Sequence, residues 1–170
     1  MSFLCRFKRR AADACIKQKQ ERAIMKTVAQ LLCIKPEYNQ NVHTIAPEQM
    51  VLEAVRTMAE RNVGVLPVVE DGVVVGVISE RDYARKMVLK GRSSAGTPVR
   101  DIMSSPVITV DSRQSIEDCM GIMTDNHLRH LPVVENEKLL GLLSIGDLVK
   151  SAIAEQADLI LQLERYIRGH

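Results

Sequence analysis

Apolar positions along the chain alternate between two periods, and the alternation occurs twice. From Val51 they recur at spacings of three and four (Val51, Leu52, Val55, Met58, Ala59), which predicts one face of a helix. Two β-branched runs follow, Val63 to Val69 and Val73 to Ile78, joined through Asp71-Gly72, a pair suited to a tight hairpin turn. Ile116, Cys119, Met120 and Met123 repeat the helical spacing, and Leu128 to Val134 and Lys138 to Leu143 repeat the strands. Short β-prone pieces (Val42 to Ile45; Val107 to Val110) precede the helices, with Pro47 suited to a first turn and Asp111 or Ser112 to a cap. Ser79 and Ser144 open further helices. The predicted order is β-α-β-β-α, twice.

The two halves match residue by residue. Val42 to Asp82 aligns with Val107 to Asp147 at a constant offset of 65 without a gap, with about a dozen identities. These include Thr44 with Thr109, Gln49 with Gln114, Leu66-Pro67-Val68-Val69-Glu70 with Leu131-Pro132-Val133-Val134-Glu135, Ser79 with Ser144 and Asp82 with Asp147. A unit of about 60 residues buries too little surface to stand alone, so the repeats are expected to pack with pseudo-twofold symmetry around a ligand-sized cleft. The fold class is α+β. A lead-in turn of pattern V-x-x-[LI]-[LM] occurs twice, at Val28 to Leu32 and Val99 to Met103. Beyond Asp147 one long helix is predicted to about Ile167, with Leu148, Ala152, Ile153, Leu159, Ile160, Leu163 and Ile167 on one side. The expected divisions are a basic segment at 1–24, the first repeat with its lead-in at 25–92, the second at 93–150 and a helical extension at 151–170. The surplus apolar stripe on the extension predicts a homodimer.

Composition narrows the chemistry. Five Phe and Tyr residues and no Trp leave little for stacking on bases, and a net charge of +2 confines any nucleic-acid or membrane attraction to a patch. That patch is the first 24 residues, with Arg6, Lys8, Arg9, Arg10, Lys17, Lys19 and Arg22. It has no signal-peptide run, and no stretch reaches the roughly 18 apolar residues of a membrane span, so a cytoplasmic protein is expected. Met25, directly before the lead-in helix, is an alternative start. Cys5, Cys15, Cys33 and Cys119 show no CxxC spacing, which points to neither disulfide nor zinc. His127 and His130 lack a third ligand nearby, so no metal is expected. A Walker lysine motif and a nucleophile-base pair are also missing, which argues against an enzyme.

The segments Gly76-Val77-Ile78-Ser79-Glu80-Arg81-Asp82 and Gly141-Leu142-Leu143-Ser144-Ile145-Gly146-Asp147 share the form G-h-h-S-x-x-D. Ser followed three residues later by an acid makes a capping box. The same groups suit a nucleotide, since Ser and first-turn amides can face a phosphate and the carboxylate a ribose diol. With the β1 threonine and the h-P-V-V strand, the tandem motif resembles a pair of cystathionine β-synthase (CBS) domains, a Bateman module, over about Thr27 to Lys150. The run from Ser79 to Lys86 with Lys90-Gly91-Arg92-Ser93-Ser94, and Arg129-His130-Leu131-Pro132, resembles stand-alone CBS-pair proteins of bacteria and plant organelles.

The resemblance implies a regulatory module binding AMP, ADP, ATP or NAD, needing no metal, and modulating a partner protein. It implies ribose contacts from Asp82 and Asp147 and phosphate or ribose contacts from Ser79 and Ser144. It also implies an adenine slot lined by Thr44, Val63, Gly64 and Val65 in one site and by Thr109, Leu128 and Arg129 in the other. Arg81, Arg85, Arg129 and His130 stand where they could reach phosphates. Lys86, Lys90 and Arg92 read as a solvated face or a phosphate clamp. The alternative is an interaction protein that engages nucleic acid or anionic membrane through the basic segment.

Overall fold

Two apolar runs, broken by two turn residues, fold in each repeat as one antiparallel hairpin. The computed structural model describes residues 27–34 and 42–168, so the basic segment at 1–24 lies outside the described residues. In chain order the elements are helix α1 (Val28–Ile34), helix α2 (Val51–Arg61), strands β1 (Val65–Glu70) and β2 (Val73–Ser79), a mixed helical stretch over 80–90, a 3-10 turn (Val99–Asp101), helix α3 (Ile116–Asp125), strands β3 (His130–Glu135) and β4 (Lys138–Ser144), and helix α4 (Ile145–Ile167). Registers are equivalent. Val65 faces Ser79 and Val68 faces Gly76, as His130 faces Ser144 and Val133 faces Gly141, with bulges at Val68/Val69 and Val133/Val134.

The β-prone lead pieces shrink to single parallel bridges, Ile45 to Val68 and Val110 to Val133. The next amides are already committed: Ala46 N–H donates to Gln49 Oε1 at 2.8 Å and Asp111 N–H to Gln114 Oε1 at 2.9 Å. Those glutamine-closed turns also delay the helices. α2 and α3 begin at Val51 and Ile116, not in the turns at Pro47 or Asp111, and Ser115 rather than Asp111 or Ser112 caps α3, accepting from Asp118 N–H at 3.0 Å. The buried face of α2 is Val51, Ala54 and Met58, leaving Leu52 and Ala59 exposed. α3 buries Ile116, Cys119 and Met123.

The lead-in turns cross over. Val28, Leu31 and Leu32 sit in one core with Val110, Ile116, Cys119, Met123, Leu131, Val133, Leu143 and Leu148, all from the second repeat. Val99 and Ile102 sit in the other with Ile45, Val51, Met58, Leu66, Val68 and Ile78 of the first. Backbone bonds fix both crossings: Val28 N–H donates to the Gln114 carbonyl at 3.0 Å, and Val99 N–H to the Gln49 carbonyl at 2.8 Å. Each fully buried Leu or Ile contributes about 1.5–3 kcal/mol, so each repeat's core depends on a segment lying before the other repeat in sequence. The two sheets meet along β2 and β4.

The expected helix after Ser79 is irregular: one α turn (Glu80–Asp82), a π segment (Tyr83–Met87) and a 3-10 turn (Val88–Lys90) that ends at Gly91 with φ 60°. α4 runs 23 residues. It buries Leu148 and Ser151, whereas Ile153, Leu159, Ile160, Leu163 and Ile167 are 48 to 80% exposed.

Candidate functional site

Each G-h-h-S-x-x-D motif spans the end of a hairpin and the first helical turn after it. Because β2 ends at Ser79 opposite Val65, the helix start lies beside the entry to β1, and Glu80 N–H donates to the Gly64 carbonyl at 3.1 Å. Gly64, Val65, Ser79 and Asp82 are thereby gathered. At the second hairpin Ile145 N–H donates to the Arg129 carbonyl at 2.9 Å, which brings Arg129, His130, Ser144 and Asp147 together.

Both motifs close as complete capping boxes. Ser79 N–H and Oγ–H donate to Asp82 Oδ2 at 3.1 and 2.5 Å, and Asp82 N–H donates back to Ser79 Oγ at 3.2 Å. The second box has the corresponding distances of 2.9, 2.5 and 3.2 Å between Ser144 and Asp147. Both glycines of the motif are crossing points. A Cβ on Gly76 would lie 2.8 Å from Met103 Sδ and 3.1 Å from the Ser104 carbonyl, and one on Gly141 2.8 Å from Leu32 Cδ2.

Asp82 carries further partners. Lys86 Nζ lies 2.8 Å from Oδ1, and Ser104 Oγ–H donates to the same oxygen at 3.0 Å. The ammonium also donates to the Ile102 carbonyl at 2.7 Å. Burial pushes the Asp82 carboxyl up, but hydrogen bonds from Lys86, Ser79 and Ser104 together with the Lys86 charge outweigh it and hold the group below the usual carboxylate range. Lys86 is therefore neither a free solvated charge nor a free phosphate clamp. An Asp82/Lys86 pair four apart was a visible signal for this contact. Ser104 had none, since it arrives from the lead-in of the other repeat.

The remaining predicted residues lie around these boxes. Thr44 and Thr109 are exposed, each one residue before a bridging position. Val63 and Leu128 are half-buried at the helix exits, where their N–H groups donate to Met58 and Met123 carbonyls at 3.0 and 2.8 Å. Arg81, Arg85 and Arg129 are exposed and His130 half-buried. His127 has a left-handed backbone, φ 54°, and turns the chain out of α3. Among the described residues no three His, Cys, Asp or Glu side chains converge as metal ligands, and no helix is long and apolar enough to cross a membrane. Burial pushes the Cys119 thiol up to about 11, aided by Asp118, Asp111 and Glu117, so it is a core atom and not a nucleophile.

Duplicated hairpins, duplicated boxes and exchanged lead-ins agree with the family comparison: the CBS domain family matches residues 34–89 and 99–154. The chain belongs to the CBS-domain family. This CBS pair is 40% identical over 127 residues to the mitochondrial CBS domain-containing protein CBSX3 of Arabidopsis thaliana, an alignment spanning 72% of this chain and 62% of the plant protein. A CBS-domain protein from Burkholderia ambifaria MC40-6 superposes with a TM-score of 0.73 at 47% identity, covering 77% of this chain and 96% of that one. CBSX2, solved in complex with AMP, superposes with a TM-score of 0.62 at 28% identity, covering 75% and 97%.

Proposed function

We propose that this CBS pair is an adenine-nucleotide sensor: AMP, ADP, ATP or NAD(H) binds between the repeats and alters contact with a partner protein, without catalysis. The observation that carries this reading is the gathering, at each hairpin end, of a Ser-Asp pair with the residues before h-P-V-V, in a fold that CBSX2 shares and in which CBSX2 holds AMP. In this reading Asp82 and Asp147 accept from the ribose hydroxyls, and Ser79 and Ser144 lie by ribose or phosphate. Thr44, Val63, Gly64 and Val65 line one adenine slot; Thr109, Leu128 and Arg129 line the other. Arg81, Arg85, Arg129 and His130 supply cationic or donor groups for phosphates. Arg129-His130 in place of Gly64-Val65 makes the sites chemically different.

The readout we assign to α4. Its exposed Leu159, Ile160, Leu163 and Ile167 form a face too apolar to leave in water, and a second copy of the chain covers it in a homodimer. Mass spectrometry of small molecules that co-purify, with thermal shift against adenosine and guanosine nucleotides, tests the ligand class. Stabilisation by adenine compounds and not by guanine compounds supports the reading; no stabilisation by any of them refutes it.

A further inference from the structure

We propose that Lys86 is an internal competitor for the first repeat's ribose carboxylate, so that the first site fills only when the Lys86–Asp82 contact opens. The inference rests on the nucleotide reading above. A carboxylate offers about four lone-pair positions. All four on Asp82 are taken from within the chain, two by Ser79 N–H and Oγ–H on Oδ2, two by Lys86 and Ser104 on Oδ1. A ribose diol donating two O–H groups must displace two of them. The Ser79 pair also caps the helix, so Lys86 and Ser104 are the partners that yield.

Neither yields freely. The ammonium is held from the far side by the Ile102 carbonyl at 2.7 Å and by Met103 O and Ser104 Oγ at 3.4 and 3.3 Å. Ser104 is itself bridged to β2, exchanging backbone bonds with Val77 at 2.8 and 3.1 Å. Opening the carboxylate therefore loosens the 102–104 segment, the connection that carries the second repeat's lead-in across the first. Sixty-five residues on, the position of Lys86 is Ser151, whose short neutral side chain is buried in α4.

Calorimetric titration with AMP of the full chain, Lys86→Met, Ser104→Ala and Asp147→Ala tests this. Asp147→Ala leaves the first repeat's site and so isolates the event at Asp82, and Lys86→Met is also made in that background. In that background Lys86→Met is expected to tighten the remaining event by about tenfold or more, the scale of losing one charge-assisted competitor. Ser104→Ala is expected to tighten it less. Should Lys86→Met not fold, Lys86→Gln, which removes the charge and keeps a donor, carries the same expectation. Normal wild-type binding with the Asp82 event unchanged or weakened by Lys86→Met overturns the competition alone and makes Lys86 a ligand contact or a purely structural group. No AMP binding by the wild type overturns the nucleotide reading and the competition with it.

Discussion

Leu32 lies over Gly141 so closely that a β-carbon on the glycine would stand 2.8 Å from Leu32 Cδ2. Leu32 is 2% exposed and belongs to the core of the second repeat, so it has little room to retreat. Gly141→Ala, and Gly76→Ala at the equivalent crossing under Met103 and Ser104, are each expected to cost about 1–3 kcal/mol by overpacking. Leu32→Ala is expected to cost about 2–5 kcal/mol. Hydrogen exchange locates the effect: with Leu32→Ala, amides of β3 and β4 lose protection before those of β1 and β2, although Leu32 precedes the first repeat in sequence. Equal loss in both hairpins would contradict the crossed lead-ins.

The two hairpin turns hold different residues in the same left-handed conformation. Asp71-Gly72 and Asn136-Glu137 all have positive φ, 49° and 85° in the first, 49° and 65° in the second. A left-handed residue bearing a Cβ costs about 1–2 kcal/mol, partly offset in the unfolded chain when glycine replaces it. Glu137→Gly is therefore expected to stabilise by about 0.5–1 kcal/mol, and Gly72→Glu to destabilise similarly. Thermal melts of the two variants should move in opposite directions.

Asp82 gives the stability a sign with pH. Its folded pKa is depressed, so its contribution is present above the unfolded value, near about 3.9, and is lost as pH falls through the folded value. Lys86→Met removes the principal lowering partner and leaves burial, which raises the pKa. Measured from pH 7 downward, urea midpoints should therefore fall less between about pH 5 and the acid limb in Lys86→Met than in the wild type, because the depressed pKa that drives the loss is gone. Superimposable acid profiles would show that the Lys86 contact does not hold Asp82 ionised.

The exposed stripe on α4 predicts a dimer that breaks when a charge enters it. Light scattering at micromolar concentration should give twice the 19.0 kDa chain mass for the wild type and the monomer mass for Ile160→Asp/Leu163→Asp, with the melting temperature of the repeats little changed. A wild type that stays monomeric with and without nucleotide would remove the dimer.

Much of this was legible in the chain because the constraints are local. The offset of 65, the alternating runs and the two Ser-x-x-Asp boxes follow from periodicity and capping chemistry, and each stands in the structure. What the sequence concealed was which apolar face meets which. The V-x-x-[LI]-[LM] turns plainly had to bury Val28, Leu32, Val99 and Ile102, yet nothing in the pattern says that each crosses to the other repeat. Gln49 and Gln114 were visible as an identity but not as the side chains that close the pre-helix turns and postpone α2 and α3. Asp82 was legible as the acid of a capping box and as a candidate site residue. Its occupation by Ser104 depends on the crossing and so was not.

Calorimetric titration of AMP into the wild type and the Asp82→Ala/Asp147→Ala variant, both verified as folded by thermal melts, reads recognition by the paired aspartates directly. The expected wild-type dissociation constant is micromolar, about 8 kcal/mol of binding free energy, with GMP weaker. Truncating both carboxylates costs each helix start about 1 kcal/mol of capping but removes the ribose contacts, so binding should fall at least about a hundredfold. A wild type silent to AMP, ADP and NAD, or a double variant that binds AMP as the wild type does, would contradict nucleotide recognition at these two aspartates.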